Sequence, residues 1–224
     1  MSAGDGSAEQ LSADQVGVQR PRFEVLSSRQ RFTGAVFGVR TDAVRMPDGS
    51  VADRDVVRHP GAVAVLALDE ADNVVTVRQY RHAVGHELLE LPAGLLDVEG
   101  EPALDSARRE LAEEAALTAT EWAVLLDLYN SSGMSDEAIR VYLARGLTEV
   151  TDSDFAPEHE EISMTVERHP LDELVAMALA GELVNGTAVA GVLAAQAARA
   201  NGWTGLRPAG APWPARPDRA GPAA

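Results

Sequence analysis

Residues 94 to 117 read Gly-Leu-Leu-Asp-Val-Glu-Gly-Glu-Pro-Ala-Leu-Asp-Ser-Ala-Arg-Arg-Glu-Leu-Ala-Glu-Glu-Ala-Ala-Leu, and they concentrate the side chains best suited to chemistry. At about 3.6 residues per turn, Glu110 lies one turn before Glu114 and Glu113 sits beside both, so three carboxylates share one side of a helix. Like charges at this spacing cost an isolated helix about 0.2 to 0.5 kcal/mol per pair, so something must offset the repulsion. Solvent, the adjacent Arg109 or a bound divalent cation could do so. Oxygen donors without Cys or His favour a hard ion such as Mg²⁺ or Mn²⁺. Charged runs are also commonly a solvated helix face, and spacing alone leaves both readings open.

Composition removes other chemistries. The chain of 224 residues has no cysteine, which excludes disulfides, thiolate metal sites and Cys nucleophiles. All 19 basic residues are Arg, and the absence of Lys excludes Schiff-base mechanisms. A net charge of -16 argues against a nucleic-acid partner, because such affinity comes largely from neutralising phosphates. An anionic substrate would need metal ions or particular arginines. A 46% hydrophobic content supports a true core. There is no apolar run of about 18 residues and no basic-then-apolar leader, so the expected setting is the cytoplasm with no membrane partner.

The elements that must position the acidic stretch follow from periodicity. Residues 1 to 20 are small, polar and aperiodic, and are expected to form a disordered tail. From Phe23 to Val57 the pattern is extended, with strands expected at Ala35 to Thr41, Ala43 to Met46 and Val51 to Val57. Pro47-Asp48-Gly49 makes a hairpin turn between the last two. Gly61 to Leu68 is continuously apolar, as in a strand buried on both faces, and a turn at Asp69 to Asn73 leads into Val74 to Tyr80. A helix runs from about Pro102 and Asp105 to Ala116, burying Ala107, Leu111 and Ala115 while its carboxylates face outward. Glu121 to Leu128, Ala138 to Ala144 and Ile162 to Val166 read as strands, and Leu171 to Leu179 and Thr187 to Ala200 as helices. Polar loops occupy 130 to 137 and 151 to 161, and the Pro- and Gly-rich stretch after Gly202 is expected to be flexible. The mixture of hairpins and helices predicts an α+β or mixed α/β fold.

The spacing in 94 to 117 resembles the Nudix box, the signature of hydrolases acting on nucleoside diphosphates linked to another group. Glu101, seven intervening residues and then Arg109-Glu110-Leu111-Ala112-Glu113-Glu114 fit that pattern. The chain departs from it twice. Gly94 precedes Glu101 by one residue more than usual, with Gly100 an alternative for the glycine's role, and Ala116 stands where the pattern has Gly. Beyond the box, Gln79-Tyr80-Arg81-His82, Glu90 to Gly94, Gly133-x-Ser135-Asp136-Glu137 and His159-Glu160-Glu161 resemble the ADP-ribose pyrophosphatase branch, actinobacterial type. The resemblance covers about Phe23 to Gly202.

That resemblance implies a Nudix α/β/α sandwich over 61–202 with an additional N-terminal antiparallel sheet over 21–60, followed by the tail at 203–224. The N-terminal sheet would be exchanged between the subunits of a homodimer through residues 34 to 57. It further implies Mg²⁺, with Mn²⁺ an alternative, held by Glu110, Glu113, Glu114 and the backbone near Ala93. Arg109 would fix a box carboxylate, and Glu101 is either a weaker metal contact or a helix-end residue. Glu161, with Glu160 its rival, would be the base. Arg54 and Arg81 would reach the diphosphate or ribose, and Phe37 would stack on adenine, while Glu90, Gly133, Ser135 and Glu137 line the cleft. The implied reaction is hydrolysis of ADP-ribose to AMP and ribose 5-phosphate. Alternatives are ADP-glucose, GDP-mannose or FAD as substrate, or a non-catalytic ligand sensor.

Overall fold

The apolar run after Gly61 becomes β4 (Ala62–Leu68), and every residue in it is buried. Side chains alternate across a strand with a period of two. Ala62, Ala64, Leu66 and Leu68 therefore enter one core while Val63, Val65 and Ala67 enter another. The second core is closed by α1 (Ala103–Ala115) through Ala107, Leu111 and Ala115. The first is closed by α2 (Leu171–Ala180) and α3 (Gly186–Ala200) through Leu171, Leu174, Ala188, Val192 and Ala195. A strand with helices on both faces has no polar side to show, which explains the unbroken apolar run. These relations come from a computed structural model of the protein, which describes residues 23–150 and 163–216.

Around β4 lie β5 (Asn73–Arg81), β8 (Leu117–Tyr129), β9 (Ala138–Glu149), β10 (Thr165–Pro170) and β11 (Arg207–Pro208), in the order β10-β5-β4-β9-β8-β11. Two short strands flank this path: β6 (His86–Glu90) pairs with β5, and β7 (Ala93–Leu95) pairs with β4. β4 and β9 run parallel and the other pairs antiparallel, so the sheet is mixed. The mixed α/β layering expected from the sequence is what forms. Among the described residues, no helix is long and apolar enough to cross a membrane.

A separate three-stranded antiparallel sheet precedes this body: β1 (Glu24–Thr33), β2 (Gly38–Arg45) and β3 (Val51–Arg58). The β2–β3 turn forms at the expected place: the Gly49 N–H donates to the Met46 carbonyl at 2.9 Å, and Asp48 Oδ1 accepts from the Ser50 amide at 3.0 Å. Ala35 to Phe37 differ from expectation, since they form a turn closed by Gly34 N–H to Phe37 O at 2.9 Å and β2 starts only at Gly38. The sheet is tied to the larger body through β3, whose Val57 N–H donates to Met134 O at 2.8 Å and whose Val57 carbonyl accepts from Asp136 N–H at 3.1 Å.

The strand expected at Ile162 to Val166 instead lies at Thr165–Pro170, paired with β5. Its polar Glu167, Arg168 and His169 give no alternating apolar signal. Pairing is reinforced by Arg78, whose guanidinium donates twice to Glu167, at 2.7 and 3.2 Å. Within the stretch after Gly202, expected to be flexible, residues 203–216 are described and make contacts with the sheet. β11 pairs with β8, and Arg140, 3% exposed, donates to the carbonyls of Ala211 at 2.7 Å and Pro212 at 3.0 Å. The same guanidinium is neutralised by Asp127 and stacks over Trp213 at 4.8 Å. A buried arginine needs every one of these partners, and such long-range anchoring leaves no local periodicity to read. Residues 1–22, 151–162 and 217–224 lie outside the described residues, and with them the expected N-terminal tail and the polar loop expected at 151 to 161.

Ala116 caps α1 in the left-handed conformation, φ 52 and ψ 40, with its N–H donating to the Ala112 and Leu111 carbonyls. The helix end therefore has the geometry that the glycine of the box pattern would suit, but carries a Cβ. That conformation costs a non-glycine residue about 1 kcal/mol or more, partly offset by the freer unfolded chain that glycine brings. Ala116→Gly is expected to raise Tm by about 1 to 3 °C in differential scanning calorimetry.

Candidate active site

The site is built where α1 crosses β7. Burial of Ala107, Leu111 and Ala115 fixes the rotation of the helix, and this places Glu110 and Glu114 toward the strand that carries Ala93 and Gly94, with Glu113 held beside them by Arg109. The contact with Gly94 is closer than van der Waals packing against a side chain would permit. A Cβ at Gly94 would stand 2.0 Å from the Glu110 carboxyl carbon and 2.1 and 2.5 Å from its oxygens. Gly100, the alternative for this role, has nothing within 4 Å of its Cβ position. Gly94 is thus the glycine the site requires, despite the extra residue between it and Glu101.

Glu110 also departs from the outward-facing arrangement expected of the carboxylates. It is 9% exposed, and burial pushes its pKa up, opposed by Arg109 and assisted by the negative charges of Glu113 and Asp97. A carboxylate in this position needs a cation. Arg109 supplies one: Nη1 donates to Glu110 Oε1 at 2.6 Å and to Glu113 Oε2 at 3.0 Å. Its Nε and Nη2 each reach Glu101 at 3.3 Å. One guanidinium therefore organises three carboxylates, more than the single partner expected. The hydrogen bonds that Arg109 donates to Glu101 raise the Arg109 pKa further, and the same contacts, with that from Ser106, hold Glu101 below the usual carboxylate range. Glu114 bonds in the opposite direction, with Oε2 accepting from the Ala93 amide at 2.9 Å, which links the helix to the backbone of β7.

The donor set suits a hard divalent ion: carboxylate oxygens, a backbone segment held beside them, and a cradle that a Cβ would fill. Among the described residues, no three acidic or imidazole side chains as placed surround one point, and the Arg109 guanidinium stands between Glu110 and Glu113. Gly94→Ala is expected to push the Glu110 carboxylate out of this place. Overpacking here costs about 1 to 3 kcal/mol, and thermal-shift titration with Mg²⁺ should show lower Tm and lost stabilisation by the metal.

The other expected site residues fall into three groups. Arg81 and Glu90 face each other across the β5–β6 pair, with Arg81 donating twice, at 2.9 and 2.6 Å, to a carboxylate that is only 3% exposed. Glu90 precedes Ala93 by three positions in the chain. Gly133, Ser135 and Glu137 lie on the turn between β8 and β9, and Ser135 bridges to Val57 of β3. Asp136 joins them by accepting from the His59 amide at 2.8 Å, while Glu137 faces His59 at 3.8 Å. Phe37 and Arg54 belong to the N-terminal sheet. Phe37 is 45% exposed, 5.8 Å from the Phe32 ring, and Arg54 donates to the Asp53 carbonyl at 2.9 Å. Their contacts are made inside that sheet and do not reach the box carboxylates. Glu160 and Glu161 lie outside the described residues.

Two residues of the site escaped the sequence reading. Asp97 follows β7 and acts on Glu110 through its charge. Ser106 is fully buried on α1, with Oγ donating to Glu101 Oε2 at 2.5 Å. A hydroxyl on the apolar side of a helix, one residue before Ala107, was the available signal.

Comparison with known proteins agrees with this geometry. The NUDIX domain family matches residues 57–190. The chain is similar to the ADP-ribose pyrophosphatase of Mycobacterium tuberculosis, with 50% identity over 87% of this chain and 93% of that protein. It is also similar to the ADP-ribose pyrophosphatase of Bacillus subtilis, with 34% identity over 67% of this chain and 72% of the relative. A crystal structure of an ADP compounds hydrolase shares the fold, with a TM-score of 0.68 and 18% identity, covering 83% of this chain and 98% of that one. With a family match across more than half its length and 50% identity to one relative over 87% of the chain, the chain belongs to the NUDIX family.

Proposed function

We propose that this protein hydrolyses the diphosphate of ADP-ribose to AMP and ribose 5-phosphate with Mg²⁺. The observation that carries this reading is the placement of Glu110, Glu113 and Glu114 on one side of α1, against a glycine whose missing Cβ admits a carboxylate. The similarity to two ADP-ribose pyrophosphatases supports the choice of substrate. Nudix ADP-ribose pyrophosphatases generally depend on a divalent metal, and the all-oxygen donor set favours Mg²⁺, with Mn²⁺ able to replace it. The ion would be held by Glu110, Glu113, Glu114 and the Ala93 backbone, where it would neutralise phosphate charge as the transition state forms.

The chain's own groups divide the remaining work. Arg109 and Glu101 keep the box carboxylates in register. Glu161 takes a proton from the attacking water as its oxygen bonds to phosphorus and the bridging P–O bond breaks, leaving the second phosphate as leaving group. Arg81, oriented by Glu90, offers charge to the substrate. Phe37 and Arg54 serve a neighbouring subunit in a homodimer. All ten residues of β1 are exposed, Val25, Leu26 and Phe32 among them, and a long apolar-bearing edge of this kind calls for a partner.

A Mg²⁺-dependent assay of AMP and ribose 5-phosphate release tests the activity, with kcat/KM compared for ADP-ribose, ADP-glucose, GDP-mannose and FAD. ADP-ribose is expected to lead the panel. An equal or higher value for another substrate overturns the assignment, and a monomer in sedimentation velocity overturns the exchanged sheet.

A further inference from the structure

Ser106 sits at the start of a chain of contacts that ends on the metal-directed carboxylates. Its side chain is 0% exposed, and it makes an unusual choice of partner. A buried helical serine commonly satisfies its hydroxyl on the carbonyl one turn back. Here Oγ donates instead to Glu101 Oε2 at 2.5 Å. Glu101 lies just ahead of α1, which begins at Ala103. Its other partner, Arg109, reaches it only at 3.3 Å through each of two nitrogens. The short, buried contact is therefore the one that sets where the Glu101 carboxylate stands. Glu101 in turn sets the plane of the Arg109 fork, whose third nitrogen contacts Glu110 at 2.6 Å and Glu113 at 3.0 Å.

We propose that Ser106 is a positioning residue for the metal cradle, acting through Glu101 and Arg109 on Glu110 and Glu113. The proposal rests on the reading of those carboxylates as metal holders. Partners one shell away from a ligand typically change metal affinity by about 10 to 100-fold when removed. Without the Ser106 hydroxyl, Glu101 is free to follow Arg109, and the guanidinium no longer has a fixed plane from which to orient two carboxylates.

The test is Mn²⁺ binding to metal-free protein, followed by electron paramagnetic resonance without substrate, so that it does not depend on which diphosphate is hydrolysed. Ser106→Ala is expected to weaken binding about tenfold, and Glu101→Gln at least as much. The double variant should bind no more weakly than Glu101→Gln alone, because a residue acting through another has nothing to add once its partner is gone. Ser106→Thr separates positioning from packing: it keeps the hydroxyl while forcing a methyl into a full site, so Tm should fall while Mn²⁺ binding stays within about threefold of wild type. Wild-type affinity in Ser106→Ala, or full additivity in the double variant, overturns the proposal and leaves the metal reading intact. Failure of the wild type to bind Mn²⁺ overturns both.

Discussion

Glu161→Gln is expected to lower kcat for ADP-ribose by about 10² to 10⁴-fold, the range that a positioned general base contributes. The cradle carboxylates are poor candidates for that role. Glu110 and Glu113 each accept a hydrogen bond from Arg109, and Glu114 accepts one from the Ala93 amide. In the proposed cradle these carboxylates would be committed to the ion, and a carboxylate clamped on a cation is a poor acceptor for a water proton. A base from elsewhere fits the proposal better, and the resemblance implies Glu161, with Glu160 its rival. Mn²⁺ affinity in Glu161→Gln should match wild type, and raising the metal concentration should recover nothing. If Glu160→Gln loses the activity and Glu161→Gln keeps it, the assignment moves by one residue.

How far the sequence could be read depended on whether a residue's partner was near in the chain. β4 was legible because seven consecutive buried residues need no knowledge of what covers them. α1 and its carboxylates were legible because 3.6-residue periodicity and the box spacing are both local properties. The members of the acidic cluster, Glu110, Glu113 and Glu114 with Arg109, could be listed without a structure. The burial of Glu110 could not, because it depends on Gly94 arriving from a different strand.

The same distinction accounts for the tail and the edge strands. Arg140 looks like any strand arginine until Ala211 and Pro212 bring their carbonyls to it from more than seventy positions away. β10 is specified largely by its pairing with β5 and by the Arg78–Glu167 contact, neither visible in its own polar sequence. Ser106 was passed over for a related reason. Its place on the apolar side of α1 could be read from periodicity, but its partner Glu101 could not.

Glu114→Gln should have an effect as large as loss of the base, with a different signature. The substitution keeps the side chain's shape and removes its charge, so the metal loses an anionic ligand while packing along α1 is retained. If the ion supplies about 3 to 5 kcal/mol of transition-state charge stabilisation, the rate should fall by about 10² to 10⁴-fold at ordinary Mg²⁺ concentration. Glu114 also accepts from the Ala93 amide at 2.9 Å. A neutral amide oxygen holds that N–H less strongly than a carboxylate does, so the backbone expected to complete the cradle loosens in the same step. Because the defect lies in metal binding, excess Mg²⁺ or Mn²⁺ should restore part of the rate and the metal titration should shift to higher concentration. Glu161→Gln should show neither response. Measuring kcat against metal concentration for both variants separates ligand from base, and a Glu114→Gln enzyme with wild-type kcat and an unshifted titration would remove Glu114 from the cradle.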